Sequence, residues 1–213
     1  MKFKIKGVKA NLESIEIILF DLGGVLINID YNATSLEMKK LGFLSFDDQY
    51  TQLAQNTLFD RMETGKISEQ AFVNELKTQV NPNVTPNQLV HAWNKMIGEF
   101  PQKKVDLLEK LKGRRVAMLS NTNAIHWKKV LHEWKKVSQD EMEEYFEEIF
   151  LSHEIERRKP HVETFHYVCH RLKALPENVL FIDDSPQHIK GAKEAGLRTF
   201  FYEDESSFFQ LFS

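Results

Sequence analysis

The chain has 213 residues, 42% of them hydrophobic, which is enough apolar material for one packed core with a sizeable insertion. Its 28 basic residues are balanced by 31 acidic ones for a net charge of −3, so no sustained positive field exists to hold a nucleic acid along the surface. The single cysteine, Cys169, excludes an internal disulfide, and its helical spacing with Phe165 and Leu172 reads as a buried, reduced thiol.

The basic start, MKFKIKGVKA, is not followed by the apolar stretch and small-residue cleavage site of a secretory signal, which predicts a cytoplasmic protein. The most apolar window, 15–29, is interrupted by Glu16, Asp21 and Asn28 and falls short of the roughly 20 apolar residues a membrane span needs, so no membrane segment is predicted. Within it, IEIILF at 15–20 reads as a strand. Asp21 ends that strand, and the LGGVLIN that follows contains two glycines that permit a tight loop close to a ligand. The next ninety or so residues carry no strand pattern and read as four or five helices. Gly65 and Ser68 mark a turn and a helix N-cap before AFVNELKTQV, and NPNVTPNQ breaks the chain again before LVHAWNKMI. Residues 29–101 are therefore expected to form a helical cap, inserted into a core made of 1–28 and 102–213.

Four more strands follow: RVAMLS at 115–120, EIFLS at 148–152, NVLFID at 178–183 and RTFFY at 198–202. Between them lie helical stripes, such as Trp127, Val130, Leu131 and Trp134, then Phe165, Val168, Cys169 and Leu172. This alternation predicts an α/β fold, a doubly wound parallel sheet of Rossmann-like type with helices on both faces.

In such a sheet, ligands bind beyond the carboxyl ends of the strands. Those positions hold Asp21, then Ser120 and Asn121, then Lys159, then Asp183 and Asp184. The adjacent carboxylates at 183 and 184 repel one another unless a cation or base lies between them, and Mg²⁺ suits oxygen ligands of this kind together with a substrate phosphate. Lys159, in ERRKPH with Pro160 at an expected first helical turn, offers a charge that would offset the repulsion between an anionic nucleophile and a phosphate. Ser120 and Asn121 supply a hydroxyl and backbone donors suited to phosphate oxygens.

In this order FDLGGVLIN, MLSNTN, RRKP and FIDDSPQHIKGAKEAGL resemble the four motifs of the haloacid dehalogenase superfamily, across the whole core. The resemblance implies a phosphatase in which Asp21 attacks phosphorus and Ser120 and Lys159 hold and neutralise the phosphoryl group. It further implies that Asp21, the Gly23 carbonyl, Asp183 and Asp184 serve a magnesium site, and that the partner is a small phosphorylated metabolite. FDLGGVLI, METGKISEQAF and LSNTN also resemble the bacterial α-D-glucose-1-phosphate phosphatase branch. One position departs from the family pattern: Gly23 stands where most of its phosphatases carry a second aspartate, the general acid and base. Such catalysis contributes ~10²–10⁴-fold, so its loss implies a slow enzyme or a substrate with a less basic leaving oxygen, for which sugar 1-phosphates are suited. His126, just after the Ser120 motif, is a candidate replacement acid.

Other features point elsewhere. His166 and His170 have the spacing of a helical metal pair, but no carboxylate or cysteine completes a zinc set, so they read as solvated. The stripe from Trp127 to Val137 reads as core packing. In the cap, Arg61, Glu63 and Lys66 surround a glycine turn and are candidates for substrate selection or for plain solvation. Two competing functions remain at this level: a phosphate-binding protein without turnover, and a metal-free dehalogenase. The dehalogenase does not call for the Asp183 and Asp184 pair and lacks its usual aromatic beside the nucleophile in DLGG.

Overall fold

The computed structural model describes residues 14–50 and 57–212; the basic amino-terminal segment lies outside the described residues. Five strands, β1 (Ile17–Phe20), β2 (Arg115–Ser120), β3 (Glu148–Leu151), β4 (Val179–Asp183) and β5 (Arg198–Phe201), form one parallel sheet in the order β3-β2-β1-β4-β5. The expected strands are all present. The first begins two residues later than its apolar run suggested, and Ser152 opens a short helix instead of ending the third.

The strands are near-continuous apolar runs because both faces of the sheet are covered. Side chains alternate between faces. Ile17, Leu19, Ala117, Leu119, Val179 and Phe181 join one apolar cluster with Phe165, Val168, Cys169 and Ile189. Ile18, Phe20, Val116, Met118, Leu180 and Ile182 join another with Val105, Leu108, Val130 and Trp134. The Trp127 to Val137 stripe thus packs against the core as its spacing indicated, and Cys169 is buried, with its thiol pushed up to about 11 by desolvation.

Between β1 and β2 run α1 (Tyr31–Lys40), α2 (Phe46–Gln49), α3 (Thr57–Glu63), α4 (Glu69–Lys77), α5 (Pro86–Trp93) and α6 (Gln102–Leu111). Ser68 caps α4 by accepting from the Ala71 amide, and Thr85 forms a capping box with Gln88 at α5. The first five of these helices bury a separate cluster centred on Trp93, whose ring lies 4.9 Å from that of Tyr50 and 5.3 Å from that of Phe59. Beyond β2 come α7 (Ala124–Trp134), α8 (Ser152–Ile155), α9 (Val162–Arg171), α10 (Pro186–Glu194) and α11 (Glu205–Gln210). Pro160 precedes α9 by two residues, ahead of the first helical turn in which its sequence placed it. No helix among the described residues is long and apolar enough to cross a membrane.

Lys104 of α6 is only 2% exposed. Its ammonium sits 3.6 Å from the Phe208 ring centroid and donates to the Tyr202 hydroxyl at 3.1 Å. Burial nevertheless pulls its pKa down to about 8, with the charge of Glu205 opposing. Between that value and the ordinary 10.5 the unfolded chain binds more protons, so this lysine's penalty fades as pH rises through that window. We expect Lys104→Met to raise the thermal unfolding midpoint at pH 7 and to raise it less at pH 10. Calorimetry at the two pH values checks this, and a lower midpoint at both would show that the ring contacts dominate.

Candidate active site

The sheet register assembles the site. Phe20 pairs with Ile182 across β1 and β4, and the Asp21 amide donates to the Ile182 carbonyl at 2.9 Å, so Asp21 and Asp183 stand level at the strand ends. On the other side Phe20 pairs with Met118, which brings Ser120 and Asn121 to the same edge. Lys159 reaches in from the loop between α8 and α9 and is fully buried. Its ammonium donates to Asp21 Oδ1 and to Asp183 Oδ2, both at 2.7 Å. Burial alone would pull this lysine's pKa down, but the two carboxylates reverse the shift and hold it above its ordinary value.

The loop is pinned by Asn121. Its side-chain amide donates to the Lys159 carbonyl and its Oδ1 accepts from the Lys159 amide, each at 2.9 Å. The Asn121 side chain therefore positions the lysine, and what it offers a ligand is its backbone N–H. Ser152 fixes the next residue, accepting from the Thr122 amide and donating to the Thr122 carbonyl at 2.9 Å. Ser120 and Asn121 both line the cavity that opens over Asp21.

Asp183 and Asp184, adjacent in sequence, have different surroundings. Asp183 is fully buried and closed by hydrogen bonds from Lys159, from the Ser185 amide at 2.7 Å, and from His188 Nδ1, which lies 3.0 Å from both its oxygens. A carboxylate only accepts, so Nδ1 carries the proton there. Burial pushes the Asp183 carboxyl up, but Lys159 and His188 together hold it below its usual range. Asp184 lines the cavity without such partners, and burial, then the charges of Asp21 and Asp183, push its pKa up to about 7. Asp21 is also raised, by burial first, with Lys159 opposing and Asp183 adding repulsion. Gly24 makes room for this arrangement: its φ is +76°, and a Cβ there would lie 2.2 Å from Asp184 Oδ2.

The haloacid dehalogenase-like hydrolase family matches residues 15–196. This chain belongs to that family. Among curated proteins it is 28% identical over 87% of its length to a D-ribitol-5-phosphate phosphatase from Bacteroides thetaiotaomicron, 91% of which is covered. A phosphorylated carbohydrates phosphatase from Thermotoga maritima is 22% identical over 86% of this chain and 82% of its own length. Among solved structures, a haloacid dehalogenase family enzyme from Bacteroides thetaiotaomicron, in complex with magnesium and inorganic phosphate, superposes with a TM-score of 0.82 at 36% identity, covering 92% of this chain and 99% of that one.

In this hydrolase the ammonium of Lys159 is taken by Asp21 and Asp183, and the elevated Asp184 beside them marks the uncompensated charge. A hard divalent cation fits that deficit. One oxygen each of Asp21 and Asp183 and a ring nitrogen of His188 lie within 4.8 Å of one another, but hydrogen bonds from Lys159 and His188 already close that cluster. The oxygen set facing the cavity is instead Asp21, Asp184 and the backbone of Gly23.

His126, the candidate replacement acid, lines the cavity with both ring nitrogens engaged. Its Nε2 lies 3.1 Å from the Trp93 carbonyl, its Nδ1 3.2 Å from Asn123 Nδ2, and burial pulls its pKa down to about 4. Both nitrogens are occupied and the ring, stacked 4.5 Å from Trp93, joins α7 to α5. The exposed His166 and His170 are far from any such role. Of the three cap candidates, Glu63 lines the cavity, whereas Arg61 faces Glu75 at 3.7 Å on the surface and Lys66 is exposed. Tyr31, Tyr50, Arg158 and His188 also line the cavity and were not singled out from the sequence. Burial and the nearby charges of Asp21, Asp184 and Glu63 push the Tyr31 phenol far above its usual range, so it stays a neutral donor.

The raised Asp184 carries a stability cost. Between its ordinary 3.8 and about 7 the folded state binds the extra proton, so the cost is absent at low pH and complete above pH 7. We expect Asp184→Asn to raise the unfolding midpoint of chelator-treated protein at pH 8, with the gain shrinking toward pH 5. No gain at pH 8 would show that the carboxylate is already compensated.

Proposed function

We propose that this hydrolase is a magnesium-dependent phosphatase of small phosphorylated carbohydrates, working through an aspartyl-phosphate on Asp21. The observation that carries the reading is a buried carboxylate held 2.7 Å from a buried ammonium, beside the uncompensated Asp184. The Asp21 carboxylate attacks phosphorus, the bond to the leaving oxygen breaks, and that oxygen takes a proton from water. A second water then attacks phosphorus, releasing phosphate and restoring the carboxylate. Lys159 holds Asp21 in line and offsets its repulsion from the incoming phosphate, and Ser120 with the neighbouring backbone N–H groups holds phosphoryl oxygens.

Asp21, Asp184 and the Gly23 carbonyl would hold the metal, with Asp183 anchoring Lys159 behind them. When bound, Mg²⁺ polarises the phosphoryl oxygens as a Lewis acid. The names of the two curated relatives support a carbohydrate phosphate as substrate, and the magnesium and phosphate in the solved relative support the metal and the anion.

Gly23 leaves leaving-group protonation weak. A Cβ at this position would meet Ile29 Cγ1 at 3.1 Å, so an isoleucine borders the space that an acidic side chain would need. Sugar 1-phosphates, whose hemiacetal oxygen is a weaker base than an alkoxide, are thereby favoured over 6-phosphates. A panel of phosphate-release assays tests the reading. We expect turnover of carbohydrate phosphates with Mg²⁺, loss of at least ~10³-fold in Asp21→Asn and in EDTA, and a higher kcat/KM for a hexose 1-phosphate than for its 6-phosphate. Undiminished activity in Asp21→Asn would remove the nucleophile, and equal rates on the two esters would remove the leaving-group argument.

A further inference from the structure

Tyr31, Tyr50 and Glu63 line the same cavity as Asp21, so these cap-side groups stand near whatever leaves the phosphorus. Three of those groups form a pattern. Tyr31 is the first residue of α1, Glu63 the last of α3, and Tyr50 follows α2. Among the described residues the Tyr31 hydroxyl has no hydrogen-bond partner, and the Tyr50 hydroxyl, on a side chain almost wholly buried, meets Met96 Sδ at 4.0 Å, a weak acceptor. A buried hydroxyl is normally satisfied, so the Tyr50 phenol, with only a sulfur beside it, and the half-buried Tyr31 phenol open to the same cavity point to a ligand.

Glu63 is set in place from the core. The turn that follows it rests on α8: Gly65 has φ +68°, and a Cβ there would come 2.1 Å from the His153 carbonyl oxygen. Arg158, next to Lys159, reaches Glu63 at 3.2 Å and Asp60 at 3.1 Å. Two carboxylates thus flank this guanidinium, so its charge is spent on the cap.

We propose that Tyr31, Tyr50 and Glu63 form a leaving-group subsite that selects uncharged, polyhydroxylated alcohols, so that the substrates are monophosphates of sugars or sugar alcohols and not esters bearing a second anionic group. The assignment rests on the phosphatase reading and deepens it. Two phenols donate and the Glu63 carboxylate, paired with Arg158, accepts, a set matched by hydroxyls, which do both. A second phosphate or a carboxylate would face Glu63, and the guanidinium beside it is already flanked by Glu63 and Asp60.

Steady-state kinetics on a hexose phosphate, ribitol 5-phosphate, 3-phosphoglycerate, a sugar bisphosphate and p-nitrophenyl phosphate test the proposal in wild type, Glu63→Gln, Tyr31→Phe and Tyr50→Phe. We expect wild type to favour the neutral polyol esters over the doubly anionic ones by about 100-fold in kcat/KM. In each variant KM for the polyol esters should rise about tenfold more than KM for p-nitrophenyl phosphate, the scale of one lost hydrogen bond to a charged or buried partner. Glu63→Gln should also narrow the discrimination against phosphoglycerate. Equal wild-type rates on neutral and doubly anionic esters would overturn the proposal. So would a parallel loss on polyol esters and p-nitrophenyl phosphate in both phenylalanine variants, whose packing is conserved. Absence of phosphate release from every ester, p-nitrophenyl phosphate included, would overturn the phosphatase reading and this subsite with it.

Discussion

One buried ammonium between two buried carboxylates organises this molecule. An uncompensated lysine at this depth would cost several kcal/mol, and Lys159 is tolerated because Asp21 and Asp183 approach it equally, at 2.7 Å. The rest of the active face serves that geometry. The parallel register sets the two carboxylates level, Asn121 grips the lysine backbone on both its amide and its carbonyl, and His188 with the Ser185 amide saturates the far side of Asp183. Stability and site geometry are therefore coupled, since the group that neutralises the buried pair also lines the cavity over Asp21.

The balance is deliberately incomplete on the side facing the cavity. Asp184 is crowded against the Gly24 loop and repelled by Asp21 and Asp183, which leaves room for one more multivalent cation. That deficit separates this site from a closed structural ion-pair network, in which every charge is already answered. On the cap side the logic is reversed. Arg158 is flanked by Asp60 and Glu63, and the groups left to a leaving group are neutral phenols and an acceptor. The cation deficit thus lies beside Asp21, while the cap side of the cavity presents phenols and a carboxylate.

Much of this was legible in the amino-acid sequence, for identifiable reasons. Strands covered on both faces leave unbroken apolar runs, and residues at their carboxyl ends must converge, so Asp21, Ser120, Lys159 and the Asp183–Asp184 pair could be gathered before any coordinates. The division of labour within that pair could not, because it depends on which residue ends β4 and meets Lys159 and which lies one step beyond, over the Gly24 loop. Asn121 read as a backbone donor to a ligand, and the grip of its side chain on the Lys159 backbone had no signal in the sequence. His126 looked available from its place after the motif, and only the packing of Trp93 against it reveals that both nitrogens are occupied. Tyr31, Tyr50 and Arg158 come from three distant segments. Their meeting is a product of cap docking, for which local spacing carries no signal.

The account stands or falls on covalent chemistry at Asp21. Acid-quenched, pre-steady-state samples taken with Mg²⁺ and a turned-over carbohydrate phosphate, digested and read by mass spectrometry, test it most directly. A phosphoryl group on the peptide containing Asp21, appearing before steady-state phosphate release and lost on hydroxylamine treatment, is the predicted result. Phosphate release with no phosphorylated peptide at any time, and with inversion of configuration at phosphorus, would contradict it.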